Sequence, residues 1–160
     1  MKFFWLLIYN VLLYPIFFVI AVLLFPFNYK IRTGLLGRYH SLKELKKFQN
    51  TNSFSDVYWF HVSSFGEFQQ IESIISNIKN SNANAGILVS FFSPSGYNNV
   101  DNNNIDCKIY LPFDFFWSVF RSLKVVKPKK IIFASYDIWP NILLMARFLH
   151  IDTVLISARI

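Results

Sequence analysis

Apolar residues fall along this chain in three regimes. From Phe3 to Tyr29 there is no Asp, Glu, Lys, Arg or His, a run of 27 residues; residues 30–56 are polar and basic; from Val57 onward short β-branched or aromatic runs alternate with segments of helical period. As a helix the first run is about 40 Å long, against a hydrocarbon core of about 30 Å, so it is long enough to cross a membrane with some tilt. Every face of it is apolar, which argues against a buried core helix, and Trp5, Tyr9 and Tyr14 supply the aromatics of a membrane interface. It is long for the apolar region of a signal peptide, and no small-x-small cleavage site follows it. Pro15 removes a backbone donor in mid-segment and predicts a kink, while Pro26, Phe27 and Asn28 end the run. A broken or shallow membrane-embedded helix therefore competes with a simple span, and either way residues 1–29 are an anchor.

Beyond the anchor, Leu42 to Phe48 has the spacing of a short basic amphipathic helix, and Gln49 to Asp56 is polar enough for a linker. Residues 30–56 thus form a juxtamembrane segment, and 57–160 form a domain. Strands are predicted at Val57–Val62, Gly86–Phe92, Cys107–Leu111, Ile131–Ala134 and Thr153–Ile156. Between them, Ile71, Ile74, Ile75 and Ile78 recur at helical spacing, as do Phe116, Val119, Phe120 and Leu123 before Lys127 and Pro128. Pro140 sits where the first turn of a helix tolerates proline, and Asn98–Asn104 predicts a solvated loop. Strands alternating with helices predict an α/β fold, a Rossmann-like parallel sheet with flanking helices and functional loops at the carboxyl ends of the strands.

The net charge of +7 suggests nucleic acid at first sight, but its distribution changes that picture. Seven of the sixteen basic residues and only one of the nine acids precede residue 48, so the segment beside the anchor carries +6 and the domain is nearly neutral. That placement favours a cytoplasmic domain and attraction to anionic lipid headgroups. The many aromatics lie in the anchor and at core spacing without interleaved Arg or Lys, so nucleic-acid binding is not indicated. Cys107 is the single cysteine, which excludes an internal disulfide and reads as a small buried hydrophobe. His40, His61 and His150 lie in different elements without ligand spacing, so no metal site is expected, and His61 at a strand end reads as a hydrogen-bonded core histidine. Neither G-x-G-x-x-G nor a P-loop occurs.

Candidate chemistry concentrates in three strand-to-helix junctions. Ser63-Ser64-Phe65-Gly66-Glu67 places hydroxyls, a glycine and a carboxylate after the first strand. Glu67 there can act as a general base toward an attacking hydroxyl, and can equally serve only to cap a helix start. Ser93-Pro94-Ser95-Gly96 follows the second strand and offers hydroxyls and free N–H groups to a phosphate or sugar, or an ordinary serine-capped turn. Asp137, beside Trp139 and Pro140, can accept hydrogen bonds from substrate hydroxyls or complement a helix start.

Together these loops resemble the N-terminal domain of the 3-deoxy-D-manno-octulosonic acid (Kdo) transferases, the lipid A core glycosyltransferases. Trp59-Phe60-His61-Val62-Ser63-Ser64-Phe65-Gly66-Glu67 is similar to that family's W-x-H-x-A-S-x-G-E segment, with Ser63 where alanine is usual. Ser93-Pro94-Ser95-Gly96 resembles its T/S-P-T/S-G segment, Tyr110-Leu111-Pro112-Phe113-Asp114 its Y-L-P-x-D segment, and Trp139-Pro140-Asn141 the end of its E-x-W-P-N segment. The order and spacing agree. Asp137 stands where glutamate is usual, and Ser135 replaces the first acid of the common E-T-E form, so this loop is shorter in reach by a methylene.

The resemblance implies the acceptor-binding half of a two-domain GT-B enzyme on the cytoplasmic face of the inner membrane, with CMP-Kdo bound by a C-terminal domain beyond Ile160. It implies no cofactor and no metal, Glu67 as catalytic base, and Ser64, Gly66, Ser93, Ser95, Gly96 and Asp137 as substrate-binding residues. Asp114 and Arg121 match positions whose role is structural. The implied acceptor is a lipid A precursor, whose phosphates suit the basic segment after the anchor. Two other readings remain open: a non-catalytic membrane-tethered binding module, and a transferase for another sugar. An exposed apolar face is also expected where a second domain would dock.

Overall fold

The structure is a computed structural model that describes residues 2–156. Its strands are β1 (Asp56–Val62), β2 (Ala85–Phe91), β3 (Cys107–Tyr110), β4 (Lys130–Phe133) and β5 (Asp152–Leu155). They form one parallel sheet in the order β3-β2-β1-β4-β5. Each lies within one residue of its predicted bounds. Trp59 pairs with Leu88 on one side and Ile131 on the other, which makes β1 the central strand. The chain winds outward through β2 and β3 and then restarts at β4, so the switch point lies at the tips of β1 and β4.

The helices are α1 (Lys2–Ile8), α2 (Tyr14–Leu24), α3 (Tyr29–Thr51), α4 (Phe65–Ser81), α5 (Pro94–Asn99), α6 (Phe116–Val126) and α7 (Pro140–Phe148). The period-two alternation of the strands feeds two cores. Trp59, Leu88, Ile131 and Phe133 face α3, α6 and α7, while Phe60, Val62, Val89 and Ile132 face α4 and α5. Of the isoleucine stripe on α4, Ile71 and Ile75 are fully buried and Ile78 packs at the edge. Ile74 remains exposed on the outer rim of that face. Lys127 ends α6 in the left-handed conformation, where Pro128 follows.

Residues 30–56 differ from expectation. The short helix at Leu42–Phe48 is part of α3, which runs to Thr51, so only Asn52–Ser55 connects it to β1. Leu45 and Phe48 are buried in the same core as Trp59, so this segment is integral to the domain. Upstream, the buried face of α3 is made of small residues. A Cβ on Gly37 would collide with the Tyr110 ring, and Ser41 Oγ donates to Tyr110 O at 2.6 Å, so the helix backbone lies close against the end of β3. A glycine without a side chain is what permits that approach.

The apolar run from Phe4 to Leu24 is helical throughout and long enough to cross a membrane. Pro15 does not break it. The strain is taken up just upstream by a π-helical turn at Tyr9–Leu13, in which Tyr14 N–H donates to Tyr9 O. That i to i+5 bond stacks Tyr14 over Tyr9, so both hydroxyls reach one point. Tyr9 Oη donates to Asp114 Oδ2 at 2.8 Å, and Asp114 N–H donates to Tyr14 Oη at 2.6 Å. Asn141 completes the cluster. Its N–H donates to Asp114 Oδ2 at 3.1 Å, and its side-chain amide donates to Asn10 Oδ1 at 2.9 Å and to Asp114 O. Phe18 extends the docking, edge-on to Phe113 and Phe115. The rest of the helix circumference, including Trp5, Val11, Ile16, Ile20 and Leu23, is exposed and apolar.

Asp114 is buried, and burial pushes its carboxyl up to about 6. Among the described residues, Asp114 Oδ1 and Asn141 Oδ1 are buried without a donor, so the cluster is rich in acceptors. A carboxyl raised above its unfolded value of 3.8 binds more protons in the folded state. Its contribution to stability is therefore complete below about pH 4 and is lost as pH rises through about 6. In neutral detergent, the unfolding free energy of wild type relative to Asp114→Asn should rise by about 2 kcal/mol between pH 7.5 and pH 4.5. A pH-independent difference would mean that Asp114 is not buried in this way.

Candidate active site

The tips of β1, β2 and β4 lie side by side, and each carries one of the candidate loops. After β1, Ser64 caps α4, its hydroxyl accepting from Glu67 N–H at 3.4 Å. Glu67 folds back over the same turn. Oε2 accepts from Ser63 N–H at 2.6 Å and Oε1 from Ser63 Oγ at 2.7 Å. The carboxylate is half-buried, fixed in one rotamer by a two-point clamp, and remains at the strand tip. Each oxygen keeps a further lone pair for an incoming hydroxyl. Capping and an available base coexist in this geometry. Gly66 is exposed and a Cβ there would meet open space, so the first turn of α4 is uncovered beside Glu67.

The β2 loop is stitched to this one. Ser93 N–H and Ser93 Oγ both donate to Ser63 O, at 3.1 and 2.7 Å, and Ser93 Oγ lies 3.0 Å from Ser95 Oγ. Ser95 is exposed at the tip. Gly96 is buried, and its added Cβ would sit 2.7 Å from Phe91 Cδ1 and 3.2 Å from the Ser64 carbonyl carbon. Its part is to let α5 close against the first loop, since any side chain would force the two apart.

After β4, Asp137 is half-buried, and its Oδ2 lies 3.2 Å from Nε2 of the buried His61. Trp59 Nε1 donates to Ser90 Oγ at 2.8 Å, and His61 Nδ1 lies 3.0 Å from the same oxygen. Nε2–H donates to the Asp137 carboxylate, which only accepts, and Nδ1 faces the hydroxyl and carbonyl oxygens of Ser90 at 3.0 and 3.1 Å. His61 is thus a buried strut that aims Asp137 at the switch point. Asp114 lies outside the strand-tip triad, in the anchor cluster, and Arg121 is exposed on α6. Cys107 is half-buried and burial pushes its thiol up to about 12, which makes it unreactive.

Arg38 carries a role that charge counting concealed. Its guanidinium reaches from α3 to the strand ends, donating to Leu111 O and Phe92 O at 3.1 Å each, and lies 4.4 Å over the Phe92 ring. Phe92 stacks in turn on Trp139, beside the Asp137 loop. The signal was its position four residues after Gly34 on the small-residue face of α3, which a hydropathy pattern does not register.

Known proteins are similar to this chain in sequence. A family model described as 3-deoxy-D-manno-octulosonic-acid transferase (kdotransferase) matches residues 33–160. The chain is similar to the 3-deoxy-D-manno-octulosonic acid transferase of Aquifex aeolicus, 30% identical over 102 residues, covering 62% of this chain and 27% of that protein. It resembles a bifunctional glycosyltransferase/methyltransferase of Fusobacterium nucleatum, 29% identical over 113 residues, 63% of this chain and 18% of the relative. It also resembles the 3-deoxy-D-manno-octulosonic acid transferase of Haemophilus influenzae, 26% identical over 104 residues, 64% of this chain and 24% of the relative. The matched region is thus between 18% and 27% of each relative's length.

Ser63 supplies both donors of the Glu67 clamp, so Ser63→Ala removes one and should cost about 1 kcal/mol. Gly66→Ala, with its Cβ in open space inside a helix turn, should be neutral or stabilise by up to about 1 kcal/mol. Thermal unfolding of the two variants checks both signs.

Proposed function

The chain belongs to the 3-deoxy-D-manno-octulosonic-acid (Kdo) transferase family, and from that premise we propose that its domain is the acceptor side of an enzyme moving Kdo from CMP-Kdo to a lipid A precursor. The observation that carries this reading is Glu67 at the tip of the central strand, clamped by Ser63 and open on the side of Gly66. Glu67 takes the proton from an acceptor hydroxyl as that oxygen bonds to the anomeric carbon. The bond from that carbon to the CMP phosphate breaks, and CMP leaves with the electron pair. The donor is held by a part of the protein outside these 160 residues.

In this reading Ser64, Ser95 and Asp137 offer polar atoms to the acceptor sugar, Gly66 leaves room for it, and Ser93 and Gly96 hold the two loops in register. The positions of Ser63 and Asp137 support the same assignment. The first orients the base, and the second is aimed by His61 at the crevice where open α/β sheets bind ligands.

The docked helix supports a membrane location and favours a shallow one. Between Tyr9 and Phe18 one side of the helix is occupied by the domain, while the other side is apolar and exposed. A helix so occupied lies in the interfacial plane of one leaflet with its free face in the hydrocarbon, rather than crossing both leaflets. The basic residues of α3 then meet anionic headgroups on the cytoplasmic side.

The test is Glu67→Gln in the complete enzyme. Gln keeps a cap at the start of α4 but takes no proton, so transfer from CMP-Kdo to a lipid A precursor should fall by about 10²–10⁴-fold with the fold intact. Undiminished transfer would remove Glu67 as the base. Absence of Kdo transfer in the complete wild type would leave a binding module or a transferase for another sugar.

A further inference from the structure

Between α2, α3 and the loop after β2 lies an open cleft of about 630 Å³. Phe17 and Ala21 form one wall, Ile31 and Leu35 another, and Arg38 and Ser93 lie at its inner end. One wall is therefore the apolar helix itself, whose far side is exposed hydrocarbon-like surface.

The inner end is electrostatically incomplete. Arg38 is held by two carbonyl oxygens and an aromatic face, and among the described residues no carboxylate lies within ion-pair distance of it. Asp137 is the acid whose field favours this cation, but its carboxylate is engaged by His61. Burial disfavours the charged guanidinium, so the desolvation is not offset by a counter-ion within the domain. Two further facts point to a ligand that is both anionic and apolar. Lys30 adds a second cation among the lining residues, and the walls between the two cations are hydrocarbon. Gly34 lies in the second turn of α3 with its surface buried, yet a Cβ added there would meet nothing within 4 Å. No turn or packing contact demands glycine at that point, and it costs the helix about 1 kcal/mol relative to alanine. What its missing side chain leaves is open volume in the cleft.

We propose that this cleft binds a phosphate-bearing membrane lipid, its phosphate paired with Arg38 and its first acyl carbons lying between α2 and α3. A planar guanidinium suits a phosphate bidentately, and the apolar walls match a chain entering from the leaflet in which the helix lies. Identifying that lipid with the sugar acceptor rests on the function proposed above. Ser93 makes the connection, since it lines the cleft and also donates to Ser63, the residue that clamps Glu67. The binding itself is independent of the transfer reaction.

The test uses the full chain in neutral detergent, titrated with dihexanoyl phosphatidic acid, dihexanoyl phosphatidylcholine and inorganic phosphate while arginine side-chain Nε–H signals are followed by NMR. Phosphatidic acid should bind saturably and shift the one arginine signal that Arg38→Gln removes. Phosphatidylcholine and inorganic phosphate should each bind at least tenfold more weakly. Arg38→Gln loses two hydrogen bonds to strand-end carbonyls and with them stability, so Gly34→Leu is the decisive variant: it fills the cleft from open space, should melt no lower than wild type, and should weaken phosphatidic acid binding at least tenfold. Unchanged affinity in folded Gly34→Leu would overturn the proposal. Inorganic phosphate binding as tightly as phosphatidic acid would overturn the lipid as ligand in favour of a free anion. Because this titration needs no donor sugar, its failure leaves the Glu67 assay standing, and the reverse holds.

Discussion

A single buried carboxylate ties this molecule together. Asp114 sits in the loop after β3, where the first turn of α7 and the apolar N-terminal helix converge: Asn141 N–H and Tyr9 Oη donate to its carboxylate, and its own N–H donates to Tyr14 Oη. A carboxylate removed from water is costly unless partners satisfy it, so the chain is constrained to bring those partners together. The π-turn at Tyr9–Leu13 is one consequence. In an uninterrupted α-helix, residues five apart diverge around the axis, and Tyr9 and Tyr14 would not both reach Asp114. The wider turn puts them on one face, with their rings 5.7 Å apart.

Because that cluster is rigid, what lies on either side of it is in register. The loop from Leu111 to Phe115 is held by Asp114 on one side and by Arg38 on the carbonyl of Leu111 on the other. Arg38 also holds the carbonyl of Phe92, whose neighbour Ser93 is fixed to Ser63 and so to Glu67. A continuous path of short contacts therefore runs from the apolar N-terminal helix to the carboxylate at the tip of β1. Under the function proposed above, this path would set the height of Glu67 above a membrane surface without help from a flexible tether.

Much of the fold was legible in the sequence because its core is made by large side chains at regular spacing. The five strands and the stripe of Ile71 and Ile75 are of this kind, and the family segments placed Glu67, Ser93 and Asp137 at adjacent strand tips. What was not legible depends on close approach or on distant partners. Most of α3 was hidden because Gly34, Gly37 and Ser41 bury a helix face without hydrophobic bulk, so its polar composition read as a juxtamembrane segment and linker. The kink expected at Pro15 was instead absorbed by a π-turn that brings Tyr9 and Tyr14 together onto Asp114, whose N–H donates to Tyr14 from 100 residues away. His61 reads as a core histidine, and it is one, but its aim at Asp137 spans 76 residues that local spacing does not connect. The clamp on Glu67 uses the backbone and hydroxyl of the same residue, a departure from the family's alanine that makes sense only once the turn is seen.

The central claim is that the apolar helix is docked on the domain through Asp114 and so lies along one leaflet. Spin labels placed singly at exposed positions from Phe4 to Leu24, in the full chain bound to phospholipid vesicles, report immersion depth through their accessibility to oxygen and to a water-soluble nickel complex. The account predicts a depth that oscillates with helical period at a shallow mean, deepest opposite Tyr14. A depth that rises steadily to the bilayer centre near the middle of the segment and falls again toward its other end would contradict it.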